Sequence, residues 1–268
     1  MLNLSNVTLL CVETRDPELA HWAIDRCLRE TRFAKVVLIT NIDLVRNRRL
    51  DIEYVQAPPI QSTKDYSDLL LTGIDQYVAG SHVLVIQWDS FIIKPNLWQN
   101  EFLDYDYIGP VWSHHPETPV GNGGFSLRSV KLLQAIKRPG FIKRHPEDYC
   151  ICADNRYFLE QECGIQFAPV EMAERFAVER TAWHSAFGFH GLFNFAFVLD
   201  DAELEEFVRI SNSSIFQGLD SYDLAFNLIE LKKISAANMI GERIQFRWKF
   251  RRQFWKLRLI LFKSRLCP

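Results

Sequence analysis

Asp89, the Asn122-Gly123-Gly124 turn, Glu147-Asp148 and His190 are the residues whose types and settings suit chemistry in this chain. Asp89 follows the apolar run Val83-Leu84-Val85-Ile86 and its Gln87-Trp88 extension. A buried strand there would deliver a carboxylate to a sheet edge, where open α/β sheets bind ligands. Gly121-Asn122-Gly123-Gly124 is a loop without side-chain bulk, so a polar ligand can reach backbone amides and Asn122 can bond it directly. Asn-Gly is also the strongest signal for a tight turn between strands, and both readings can hold together. Pro146-Glu147-Asp148 puts two acids in a helical first turn, where the dipole favours them in any protein. His190, within Phe187-Gly188-Phe189-His190-Gly191, reads either as a packed imidazole or as a metal ligand. Four polar signals in this order suggest one active site built from loops.

Bringing them together requires alternating strands and helices. Residues 7–12 predict a first strand, 17–31 a helix opened by Pro17, 35–40 a second strand, and 51–55 a third that ends before Pro58-Pro59. Residues 63–78 predict a helix with Leu69, Leu70, Ile74 and Val78 on one side, feeding the Val83 strand. Repeated βαβ implies a mostly parallel central sheet flanked by helices. Beyond Asp89, short strands are expected at 105–110 and 124–127. Helices are expected at 129–136, 147–163, 172–176, 202–210 and 221–232, with a linker around 236–241.

With 268 residues, 48% of them apolar, the chain can bury a full core, and the expected organisation is one domain over 1–240 with an appendage over 241–268. The first six residues show no basic segment leading into an apolar one, and no apolar stretch is long enough to span a bilayer, so a cytoplasmic address is expected. The six cysteines (Cys11, Cys27, Cys150, Cys152, Cys163 and Cys267) are expected as reduced thiols, their spacing matching no standard zinc pattern. From Gly241 onward nine Lys or Arg residues face Glu242 alone, a net charge of +8 that leaves residues 1–240 at −10. Phe246, Trp248, Phe250, Phe254 and Trp255 are interleaved with those cations. That composition suits a helix on an anionic membrane surface, and equally a helix packed on its own domain or on another subunit. Nucleic acid is disfavoured as a partner because the main domain is acidic.

The motifs QWDSF (87–91), DYDYIGPVW (104–112), VGNGGFSLRS (120–129), PEDYC (146–150) and FGFHG (187–191) resemble, in kind and order, DUF5672, a bacterial and fungal family of predicted glycosyltransferases of the GT-A type. The resemblance covers roughly residues 7–191 and leaves the tail outside. It implies a GT-A, Rossmann-like fold and a nucleotide-sugar donor, UDP-sugar favoured. It further implies Mn²⁺ or Mg²⁺ on the diphosphate and transfer, with inversion, to a glycan or lipid-linked acceptor. By the same resemblance Asp89 and His190 stand on the metal side. Gln87 replaces the first acid of the usual DxD motif and is left to bond ribose. Asp148 is the implied general base, with Glu147 orienting an acceptor hydroxyl or exchanging roles with it. Glu13, Thr14 and Arg15 fall where such folds contact the nucleotide, Lys64 and Tyr66 are further candidate contacts, and Trp112, Asn122, Gly123 and Gly124 are candidates for the sugar and acceptor. The basic tail would hold such an enzyme at the inner face of the membrane, where these acceptors are assembled. Two other classes stay open: a non-catalytic glycan- or nucleotide-sugar-binding protein, which the incomplete DxD favours, and a metal-dependent hydrolase, for which a dense His/Asp cluster is lacking. His114-His115 has no partner at ligand spacing and is unassigned.

Overall fold

Alternating apolar runs and amphipathic segments give, in chain order, β1 (Leu2–Val12), α1 (Pro17–Leu28), β2 (Thr31–Thr40), β3 (Glu53–Gln56), α2 (Thr63–Thr72), β4 (His82–Ile86), β5 (Ser90–Ile92), β6 (Tyr107–Ile108) and β7 (Phe125–Ser129). There follow α3 (Val130–Ala135), α4 (Glu147–Tyr149), α5 (Arg156–Cys163), α6 (Val170–Phe176), β8 (Ala177–Val178) and β9 (Gly188–His190). The computed structural model describes residues 1–112 and 115–266, so His114 and Cys267 lie outside the described residues. Contacts divide the chain into two units, the first ending at His190 and the second beginning at Gly191.

The main sheet of the first unit has the order β3-β2-β1-β4-β7-β6. β1 through β4 pair in parallel, whereas β7 runs against both β4 and β6. The sheet is therefore mixed, which corrects the expectation of a mostly parallel one. The physical reason is the connection: among the described residues no helix lies between β6 and β7, and strands joined without a crossover pair antiparallel. A second, small sheet has the order β5-β9-β8. β4 is buried along its whole length, as the unbroken apolar run of residues 83–86 requires. Leu10, Val12, Val83 and Val85 share one core with Leu70 and Leu71 of α2 and Leu132 and Leu133 of α3.

Three helices depart from expectation for local reasons. α1 stops at Leu28 because Thr31 already pairs with Leu2 in the sheet. α2 starts at a full capping box, Ser62 with Asp65, but ends at Thr72 before Gly73, and only a short 3₁₀ turn, Asp75–Tyr77, follows. The helix expected over 147–163 is broken into α4, a π-turn over Cys150–Asp154, and α5. Asn155 sits at the break, its side-chain amide donating to the carbonyls of Ile142 and Cys150 at 2.9 Å each.

The second unit is helical: α7 (Phe195–Val198), α8 (Asp201–Ile210), α9 (Leu219–Glu230), α10 (Ile234–Arg243) and α11 (Arg251–Leu266). The expected linker at 236–241 lies inside α10, and the boundary expected at residue 240 falls within that helix. No helix among the described residues is long and apolar enough to cross a membrane. Cys11, Cys27, Cys150, Cys152 and Cys163 are free thiols.

Candidate functional site

Because β7 runs opposite to β4, the point where β4 leaves the sheet and the point where β7 enters it share one rim, with Ile86 paired to Phe125. The pairing continues past the strands. The Gln87 N–H donates to the Gly124 carbonyl at 3.1 Å, and the Ser90 hydroxyl donates to the same oxygen at 2.6 Å. These bonds hold Asp89, 8% exposed, in the turn between β4 and β5. β9 pairs with β5 through Ser90 and His190, which sets His190 on the same rim.

The His190 ring lies directly on Gly124, and a Cβ at that glycine would overlap Nε2, Cδ2 and Cε1 of the imidazole. Nε2 is 3.6 Å from Asp89 Oδ1 and 3.2 Å from Gln87 Oε1, while Nδ1 is 3.1 Å from Glu179 Oε1. Burial is the largest single influence on this imidazole and opposes its charging. The carboxylates of Asp89 and Glu179, with Asp148 further off, together outweigh it and push its pKa up to about 9. Glu179, which follows β8, was not legible as a site residue, since nothing in the sequence marks an acid after a two-residue strand. Only the parallel pairing of β8 with β9 brings it to His190.

On the other side of the turn, Asp148 accepts from the Gly123 N–H at 3.0 Å and from the Tyr149 N–H at 2.8 Å. Its carboxylate is half-buried. Glu147 points inward: Oε1 accepts from Arg128 Nη2 at 3.2 Å, Oε2 lies 3.5 Å from the Ser67 hydroxyl, and that hydroxyl accepts the Glu147 N–H at 3.2 Å. Both members of the ion pair are buried. Burial, seconded by Asp148, pushes the Glu147 carboxyl up against the opposing pull of Arg128. Arg128 is legible in hindsight as the one charged residue of the strand Phe125-Ser126-Leu127-Arg128-Ser129. Gly123 fits because its position is hemmed in by Glu147 and Arg128, with a built Cβ only 2.5 Å from Glu147 Oε1. Asn122 takes a φ of +40°, and its side-chain oxygen accepts the Gly124 N–H at 3.0 Å, closing the turn.

A cleft of about 400 Å³ opens beside this rim at the carboxyl ends of β1 and β4. β1 leads to β2 on one side while β4 lies on the other, so the cleft occupies a switch point of the sheet, the usual ligand position in such folds. Glu13, Thr14, Arg15, Ser62, Tyr66 and Gln87 are among its lining residues. Gln87 links the cleft to the imidazole, since its Nε2 donates to the Tyr66 hydroxyl at 3.0 Å while its Oε1 faces His190. Glu13 is buried and accepts the N–H groups of Arg15 and Asp16 at 2.7 and 3.2 Å, so it shapes the turn after β1. Lys64 does not line the cleft; it pairs with Asp68 on the exposed side of α2. Trp112 is 7% exposed and lies in the core against Gly121, with the Tyr149 ring 6.3 Å away. Among the described residues no group of three His, Cys, Asp or Glu side chains is arranged to hold a metal ion.

No curated protein matches the sequence. Among solved structures, the chain is similar to the mannosyltransferase PcManGT from Pyrobaculum calidifontis in complex with GDP-Man and Mn²⁺ (11% identity, TM-score 0.43, covering 89% of this chain and 73% of that one). It is also similar to S. aureus TarS 1–349 (10%, TM-score 0.41, 94% and 78%). A third similarity is to the bifunctional IspDF from Campylobacter jejuni (12%, TM-score 0.40, 61% of this chain), of which it spans 48%, about half the length. The profile described as "Protein of unknown function (DUF5672)" matches residues 49–190, more than half of the sequence, and the chain belongs to that family.

Proposed function

We propose that this protein is a GT-A type glycosyltransferase that moves a sugar from a nucleotide diphosphate, with UDP favoured, to a hydroxyl of a glycan or lipid-linked acceptor. The observation that carries the reading is the convergence of Asp89, His190, the Gly123-Gly124 turn and Asp148 on one rim beside a cleft at the sheet's switch point. A cleft of about 400 Å³ is within the range of small-ligand sites, and Tyr66 with the turn after β1 offers a nucleotide an aromatic and polar lining.

Asp89 and His190 suit a divalent ion that the donor itself completes. Their donor atoms stand 3.6 Å apart, and Glu179 on Nδ1 orients the ring with Nε2 toward Asp89, the usual carboxylate–histidine arrangement behind a metal. Asp89 and His190 would hold the ion, with the donor's diphosphate and water supplying its remaining ligands. When bound, the ion would neutralise charge on the departing diphosphate. Gln87, in place of an acid, keeps one negative charge off the site and bridges the nucleotide cleft to His190.

In this reading Asp148 is the base. A carboxylate offers about four lone-pair positions, and two of them hold the Gly123 and Tyr149 N–H groups, which leaves the others for an acceptor hydroxyl. Taking that proton as the oxygen attacks, opposite the leaving group, gives inversion through an oxocarbenium-like transition state. Glu147, turned away into its ion pair with Arg128, supports the turn that carries this geometry.

The test is to incubate the purified protein with a panel of UDP- and GDP-sugars, Mn²⁺ and sugar acceptors, and to follow donor hydrolysis and transfer. Turnover of one donor class supports the enzyme. Tight donor binding without turnover supports the non-catalytic reading that Gln87 favours, and neither binding nor turnover sinks both. Gly124→Ala is expected to weaken Mn²⁺ binding in the presence of UDP by about 10–100-fold, because the new methyl must push the imidazole off Asp89. Gly124 lies outside the left-handed region, so the effect is steric, and the melt should also fall by the roughly 1–3 kcal/mol that an overpacked site costs. Metal titration by calorimetry reads it.

A further inference from the structure

α11 carries apolar residues on two opposite sides. Leu257 and Leu261, one turn apart, are buried within the second unit, Leu261 against Gly241 of α10. On the far side Trp255, Leu259 and Phe262, spaced four and three residues apart, form an outward stripe, 64%, 55% and 61% exposed. Phe246 and Trp248, also exposed, widen it: the Phe246 ring lies 6.4 Å from Trp255 and 5.3 Å from Phe254. Arg251, Arg252, Lys256 and Lys263 are exposed along its edges. The packing and the membrane expectations for this segment thus concern different faces of the same helix.

We propose that the outer face of α11, with the Phe246–Trp248 corner, docks on an anionic lipid bilayer, the helix lying in the headgroup plane. An apolar stripe edged by cations is the arrangement of an interfacial helix, in which rings and leucine enter the acyl boundary while Lys and Arg reach back to lipid phosphates. Tryptophan at its centre and at its entry corner suits the membrane–water boundary. Charge selects this occupant over a second copy, since two tails of +8 would be brought face to face. An acidic single strand would stack on rings but would find nothing in Leu259. The inference does not depend on the glycosyltransferase reading.

The experiment is co-sedimentation of the full chain with vesicles of phosphatidylcholine alone and of phosphatidylcholine mixed with an equal part of phosphatidylglycerol, read together with tryptophan emission. Binding to the mixed vesicles, with a blue shift and loss at high salt, is expected. Two variants, Leu259→Gln with Phe262→Gln and Arg252→Glu with Lys263→Glu, change exposed side chains only, so each should melt as the parent does and bind about tenfold more weakly or worse. No binding to the mixed vesicles, equal binding to phosphatidylcholine alone, or parental binding by both variants overturns the proposal. So does a stable dimer in size exclusion that both variants dissolve.

Discussion

Asp148→Asn is expected to lower sugar transfer by about 10²–10⁴-fold while donor affinity survives. The amide oxygen can still accept the Gly123 N–H, so the turn that carries Gly124, on which the His190 ring lies, stays in place, but the amide cannot remove a proton from an attacking hydroxyl. Initial rates with the preferred donor, set beside donor Kd from calorimetry, separate the two effects. Asp148→Ala should add a structural loss, since the Gly123 N–H then has no side-chain acceptor. Unchanged turnover in the asparagine variant would remove Asp148 from the role of base and leave the fold assignment intact.

The largest effect on stability should come from Arg128→Met. The guanidinium is fully buried, its Nη2 on Glu147, its Nε donating to Ser126 at 3.0 Å, and its Cζ 5.6 Å from the Tyr107 ring centre. Removing it leaves Glu147 buried without its counter-ion, which costs about 3–5 kcal/mol. At roughly 2–4 °C per kcal/mol for a chain of this size, the melting temperature should drop on the order of 10 °C. The loss should grow with pH. A buried carboxyl whose folded pKa is raised binds more protons folded than unfolded. Stability therefore falls as pH climbs from the ordinary glutamate value of about 4.3 toward the raised one, and losing Arg128 raises it further. Melts across that range check the sign, and a double variant with Glu147→Leu should recover much of the deficit because no acid is then stranded.

Much of the architecture was legible because its signals are local. Buried strands announce themselves by unbroken apolar runs, as at residues 83–86, and α2 by the serine and aspartate that cap it. Asp89, Gly123-Gly124, Asp148 and His190 were readable as chemistry-bearing types, and the fold puts them on one rim. The direction of β7 was not readable, because its sequence is equally compatible with either sense and only the absence of a crossover helix decides it. Lys64 and Trp112 were chosen by position and type. Their surroundings, an ion pair with Asp68 and the face of Gly121, are set by contacts that sequence spacing does not encode. Glu179 and Arg128 went unseen for the complementary reason: each matters through a neighbour remote in sequence.

The buried guanidinium on β7 also bears on how the chain avoids mistakes. Ser126 and Arg128 share one side of the strand while Phe125 and Leu127 take the other. Were β7 to slide by a single residue against β4 and β6, the cation would be thrust among hydrocarbon with no acid opposite, and two large apolar groups would arrive where Glu147 waits. Arg128 thus sets the register: an out-of-step alignment carries the cost of a buried, unpaired cation, and only the correct one carries the rim.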